Sequence, residues 1–203
     1  MVKRVGNLME IAEVPLFPLK TVLFPGGPLP LRIFEPRYLD MISYCLRHEH
    51  GFGVVLIRQG QEVGPVEIHD VGTMAEIVDW YQGSDGLLGV TARGCGRFRV
   101  ASVRVQADGL KLGQIEPIGP EPSQALPHHY APMARVLSEI IDDLGSHYQE
   151  LEKHYDDASW VGYRFAEILP VPAAQRQTYL EMNDAVERLQ MLRPFLKFSE
   201  DAN

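Results

Sequence analysis

Two rhythms of apolar residues divide this chain near residue 120. Before it, apolar runs are short, glycine is frequent and the spacing is close to two, the period of a strand that buries one face. After it, apolar residues recur at the three-and-four spacing of a helix with one buried stripe. The junction Pro117-Ile118-Gly119-Pro120-Glu121-Pro122-Ser123 favours extended backbone. It marks the expected boundary between a β-rich part, residues 1–120, and a helical part, residues 121–203. The fold class is α+β.

In the first part the pattern predicts strands over Val14 to Leu19 and Leu29 to Phe34, bent apart by Phe24-Pro25-Gly26-Gly27-Pro28. A helix is expected over Glu35 to Arg47, with Pro36 in its first turn and an apolar stripe of Tyr38, Leu39, Ile42, Cys45 and Leu46. Further strands are expected at Gly53 to Ile57, Gly72 to Trp80, Gly86 to Arg93, Arg97 to Val105 and Leu110 to Pro117. In Arg97-Phe98-Arg99-Val100 the alternation sends Phe98 and Val100 to one face and the arginines to the other. Short strands with tight turns and one inserted helix predict a twisted, partly closed sheet.

In the second part Met133, Val136, Leu137, Ile140, Ile141 and Leu144 form a helical stripe that Tyr148 and Leu151 continue past Gly145. One long helix from Tyr130 to Tyr155 fits that stripe. Asp157 or Ser159 is positioned to cap a second helix that stops before Pro170. Pro172 opens a third, and Asn183 or Asp184 caps a fourth that Pro194 ends or kinks. Four such helices make a small bundle.

Composition narrows the function classes. The 203 residues are 45% hydrophobic and 23% charged, ordinary for a globular chain. The net charge of −8 and pI near 5.3 disfavour nucleic acid and anionic lipid. Two cysteines supply neither a disulfide framework nor a Cys-x-x-Cys knuckle, and no run approaches the length of a membrane span. No signal peptide is visible, so a cytoplasmic location is expected.

Several ordered blocks carry a resemblance. Pro15-Leu16-Phe17-Pro18-Leu19, Leu23-Phe24-Pro25-Gly26 and Leu29-Pro30-Leu31-Arg32-Ile33-Phe34-Glu35-Pro36-Arg37-Tyr38 come first. Phe52-Gly53-Val54-Val55-Leu56, Val71-Gly72-Thr73-Met74-Ala75-Glu76-Ile77 and Gly94-Cys95-Gly96-Arg97-Phe98-Arg99-Val100 follow. Ala166-Glu167-Ile168-Leu169-Pro170, Gln177, Leu180-Glu181 and Glu187-Arg188-Leu189 complete the set. Together they resemble the N-terminal, substrate-binding domain of the Lon protease family over nearly the whole chain. The resemblance implies a PUA-like sheet with a helical bundle, and recruitment of protein substrates. The sequence ends where that family's ATPase would start, holds no Gly-x-x-x-x-Gly-Lys-Ser/Thr phosphate loop, and has no room for its serine-lysine protease. The expected form is therefore a stand-alone, non-catalytic copy. One departure is Tyr81-Gln82-Gly83-Ser84-Asp85-Gly86, where the family often has a simple Pro-Asp-Gly turn.

The leading expectation is a module that binds unfolded or extended polypeptides or a partner protein, as an adaptor in protein quality control. Its candidate contacts are Leu23, Phe24, Pro25 and Leu29, as an apolar loop, with Arg32, Glu35 and Arg37 as carboxylate-binding groups. The plainer alternatives are a buried crossover around Phe24 and an internal ion pair around Glu35. The second class is an RNA-binding PUA-like module, with Arg93, Arg97, Arg99 and Arg104 along one face. Cys95 near Arg93 and Arg97 can be read as an activated thiol, but a glycine-flanked turn between two strands is the expected role. His48-Glu49-His50, His128-His129 and the pair His147 and His154 fall short of a four-ligand zinc site. No metal and no cofactor are expected, and oligomeric state is not legible.

Overall fold

The structure, a computed structural model, describes residues 12–60, 66–145, 148 and 150–196. Strands β1 (Ala12–Leu19), β2 (Pro28–Ile33), β3 (Phe52–Gly60), β4 (Val66–Gln82), β5 (Leu88–Val105) and β6 (Lys111–Pro117) form one sheet in the order β2-β5-β4-β3-β1-β6. An additional β5–β6 pairing closes all but β2 into a barrel. Only β1 and β3 run parallel, and the crossover that such a pair requires carries β2 and α1 (Pro36–His48).

The barrel interior holds Leu16, Val55, Phe98 and Ile115. Glycines make room for the two largest of these side chains. A Cβ at Gly53 or Gly72 would lie 2.7 Å from the Phe98 ring, and one at Gly113 would lie 2.8 Å from Leu16. Outside the barrel, α1 buries Tyr38, Met41, Ile42 and Cys45 against Phe17, Leu29, Ile33 and Phe52. Pro36 starts this helix as the sequence indicates. Its C-cap is Glu49, held at φ 55°, with the His50 N–H donating to the Cys45 carbonyl.

The helical part begins with a 3-10 turn, His128–Tyr130, followed by α2 (Ala131–Asp143), α3 (Ala158–Ile168), α4 (Ala173–Glu181) and α5 (Ala185–Leu192). Asp157 caps α3 by accepting from the Trp160 N–H at 2.7 Å. Asp184 caps α5 by accepting from the Val186 and Glu187 N–H groups. The single helix expected from Tyr130 to Tyr155 is not formed. Leu144 turns to extended backbone, with its N–H reaching the Ile140 and Ile141 carbonyls, just before Gly145. Glycine disfavours a helix interior by about 1 kcal/mol relative to alanine, and beyond this break Tyr148, again helical, packs on the core.

Two strands expected on either side of Gly94-Cys95-Gly96 are one strand, β5. A β-bulge sits where a turn was expected, since Gly94 pairs with Ala75 and Arg97 with Thr73, three steps against two. Gly94 is small because another backbone meets it. The Gly26 N–H donates to its carbonyl at 2.8 Å, its own N–H donates to Gly27, and a Cβ there would stand 2.1 Å from the Phe24 carbonyl oxygen.

The sheet and the helices share a core. Val22, Phe24, Leu56 and Val71 belong to the same buried cluster as Leu137, Phe165, Tyr179 and Leu189. Polar bonds reinforce it. Arg97 donates to the Leu180 and Met182 carbonyls and to Asn183, and Gln177 donates to the Val71 carbonyl at 2.9 Å.

Candidate functional site

Residues 118–127 cross from β6 to the helices as an extended strap. The Ile118 N–H donates to the Arg97 carbonyl at 2.9 Å. Farther on, Leu126 donates to Asp156, Ala158 donates to Gln124, and Ala125 pairs with Asp157. Between the strap, the bulge of β5, the Pro25-Gly26 turn and the start of α3 lies an open cleft of about 730 Å³. Pro25, Ile118 and the half-buried Trp160 give it apolar walls, while Cys95, Gly96 and the exposed Asp156 lie along it.

Two buried ion pairs fix the walls. Glu121, on the strap, accepts two 2.7 Å bonds from Arg188, a 2.5 Å bond from the Tyr163 hydroxyl and another from Ser159. Arg97 stands 3.9 Å away. Burial raises the carboxyl's proton affinity, but the bonds and charge of Arg188, with Ser159 and Tyr163, outweigh it and hold Glu121 below the usual carboxylate range. Arg188 lies over the Tyr163 ring at 3.9 Å and needs Gly162 beside it, because a Cβ there would come within 2.9 Å of its Nε.

The second pair props the turn. Arg164, fully buried on α3, donates to the Pro25 carbonyl at 2.9 Å and lies 3.3 Å from Glu167. Gly27 leaves space for both side chains. Here burial dominates over the charges of Arg164 and Arg176 and the Tyr148 bond, and Glu167 is pushed up to about 7.

The residues singled out from sequence do not converge. Leu23, Phe24 and Leu29 are 2%, 0% and 7% exposed, so their side chains are core and present no apolar loop. Pro25 alone of the seven lines the cleft. Arg32 pairs with Asp85 in the β4–β5 turn. Glu35 pairs with Arg37 at 2.7 Å, and Arg37 also donates to the Gly109 carbonyl and lies over the Tyr38 ring. Glu35 and Arg37 thus form an internal pair, while Arg32 pairs separately with Asp85 near the surface. The expected arginine face is dispersed as well. Arg93 pairs with Glu76, Arg104 pairs with Glu13, and Arg97 is buried beneath the helices.

Cys95 sits in the bulge, and the expected turn is corrected accordingly. Partial burial and the neighbouring Glu76 push its thiol up to about 11, more than Arg93 offsets. That is the opposite of an activated nucleophile. His48 and His50 flank the Tyr44 ring, and His147 lies outside the described residues. Among the described residues no three His, Cys, Asp or Glu side chains gather as a metal site, and no helix is long and apolar enough to cross a membrane. Sequence reasoning missed Trp160, Ile118 and Asp156 as neighbours. Trp160 falls in the second expected helix and Ile118 in the Pro/Gly junction, and nothing local in the sequence joins them.

Comparison with known proteins places this arrangement. A Lon N-terminal domain protein from Xanthomonas campestris superposes with a TM-score of 0.76 at 36% identity, covering 92% of this chain and all of that one. The N-terminal domain of a Mycobacterium avium complex Lon protease shares the fold at a TM-score of 0.60 and 16% identity, over 91% of this chain and 97% of that one. Lon protease 2 of Myxococcus xanthus is 26% identical over 200 residues, 94% of this chain and 24% of that protein. Protein cereblon of Danio rerio is 30% identical over 125 residues, 58% of this chain and 29% of that protein. The chain spans about a quarter of the length of the curated Lon proteases it matches over most of its own length. The model of the ATP-dependent protease La (LON) substrate-binding domain matches residues 13–197, and the chain belongs to that family.

Proposed function

We propose that this chain is a non-catalytic, cytoplasmic polypeptide-binding module that holds an extended segment of a client protein in the cleft between β5 and α3, as an adaptor in protein quality control. The observation that carries this reading is the open cleft of about 730 Å³, walled by Pro25, Ile118 and Trp160, in a LON substrate-binding domain. The surface suggested by residues 23–29 thus moves to the cleft that Pro25 borders. The thiol beside it is poorly ionised and supports no nucleophilic role. The acidic groups Asp156 and Asp157 at the opening count against RNA.

Cys95 provides the test. It is exposed along the cleft, whereas Cys45 is 1% exposed beneath α1. Maleimide labelling of Cys95 should slow several-fold when a reduced, carboxymethylated unfolded protein saturates the chain. Binding with no change in labelling rate would put the site elsewhere, and no binding would overturn the reading. Turnover of ATP or casein that a point mutation in this chain abolishes would overturn the non-catalytic part.

A further inference from the structure

The pairing of β5 leaves bare backbone along the cleft. Opposite β4, Cys95 and Gly96 together face Met74 in the bulge, two residues against one. On the other edge, β2 begins with Pro28 opposite Arg93, and the Gly26-Gly27 turn before it reaches only Gly94. β6 ends with Pro117 opposite Phe98, and the Ile118 N–H donates to the Arg97 carbonyl. Among the described residues, Cys95 and Gly96 therefore have no strand neighbour on that edge.

Gly96 and, on the facing strap, Gly119 share a further property. A Cβ on either would meet no heavy atom within 4 Å, and neither has positive φ. Glycine inside a strand often marks a bulge, as at Gly96, a bend, or the close approach of a ligand or another backbone. Among the described residues no heavy atom fills the space beside these two, which leaves room for an occupant.

Charge narrows that occupant. Arg97 and Glu121 are buried and engaged with other groups, so the carboxylates left at the opening are the exposed Asp156 and the half-buried Asp157, with His154 beside them. The N-terminus of α3 would attract an anion, but the Asp157 carboxylate already caps it. The chain as a whole carries −8.

Building on the polypeptide-binding reading above, we propose that the cleft recognises an extended segment by its main chain, laid along Cys95-Gly96 and Gly119. A bulky apolar side chain of that segment rests on Trp160, and a neighbouring Lys or Arg faces Asp156. Recognition through the main chain tolerates many sequences, while the rim excludes acidic ones.

Dye-labelled dodecapeptides rich in Leu and Phe, one with arginines and one with glutamates in their place, test this by fluorescence anisotropy. The arginine peptide should bind about tenfold more tightly, and Asp156→Asn should remove most of that preference. Gly96→Val and Gly119→Val should each weaken both peptides about tenfold at unchanged melting temperature, because the added methyls occupy only the ligand's space. Gly145→Val, at another glycine with open surroundings, is the control and should bind normally. If a glycine variant folds poorly, the unmutated chain carrying a bulky maleimide on Cys95 reads the same cleft and should lose binding. Peptide binding that survives both glycine changes, or the Cys95 adduct, overturns this inference and leaves the binding function standing. A folded wild-type chain that binds neither these peptides nor an unfolded protein overturns the function itself.

Discussion

Glu121 and Glu167 are both buried beside arginines, yet their proton affinities move in opposite directions. Glu121 receives aligned bonds on both oxygens, whereas Glu167 Oε2 and Arg164 Nε stand 3.3 Å apart without a hydrogen bond between them. The consequences for stability have opposite signs. Because Glu121 is depressed, its contribution is present above the ordinary carboxylate range and is lost as pH falls through its folded pKa. Glu167 rises from 4.5 to about 7, so between those values the native state keeps a proton that the unfolded chain has released. Stability therefore declines as pH rises through that window, by roughly 3 kcal/mol in total, and this contribution is flat above it. We expect Glu167→Gln to flatten the fall in melting temperature between pH 5 and 7.5. Equal slopes in the two proteins would refute the assignment. Arg188→Ala should cost about 3–5 kcal/mol in a denaturant titration, because it strands the Glu121 carboxylate in the interior. A loss near zero would mean that water reaches Glu121.

At the scale of elements, β5 shows why three adjacent residues resisted local reading. Gly-Cys-Gly between two alternating runs looks like a turn, and the glycines do serve a backbone purpose. One admits the Phe24–Gly27 turn and the other faces open space, while the chain runs straight on. Gly94→Ala should therefore destabilise by about 1–3 kcal/mol or more, since the Phe24 carbonyl has to move. Gly96→Ala, two positions away, should stay within about 0.5 kcal/mol of wild type. Chemical denaturation of the pair decides this, and equal effects would disprove the placement of the turn. The end of α2 carries the same lesson. The apolar stripe past Gly145 is real in the half-buried Tyr148, but periodicity does not distinguish one continuous helix from helical backbone interrupted at Leu144.

At the scale of the molecule, the change from strands to helices does not divide the core. Phe24 from the strand part lies 5.7 Å from Tyr163 of α3, ring to ring, and Arg97 and Gln177 bond across the junction. We expect one cooperative unfolding transition. In a Trp80→Phe, Cys95→Ser background, Trp160 fluorescence reports the helical side and Cys45 reactivity reports the sheet side. Coincident denaturant midpoints are expected, and separated midpoints would show two units divided near residues 117–123.

What the sequence determined by itself was periodic or local: strands by alternation, helices by stripe, the Asp157 and Asp184 caps, and the ordered blocks that mark the family. Those features depend on neighbours within a few residues, which side-chain spacing and backbone chemistry specify directly. Barrel closure through β5–β6, the burial of Leu23, Phe24 and Leu29, and the pairing of Glu121 with Arg188 were decided only by the tertiary structure. The cleft belongs to the same class. It joins residues 25, 96, 119, 156 and 160, and a surface made by segments so far apart exists only once the shared core has set their distances.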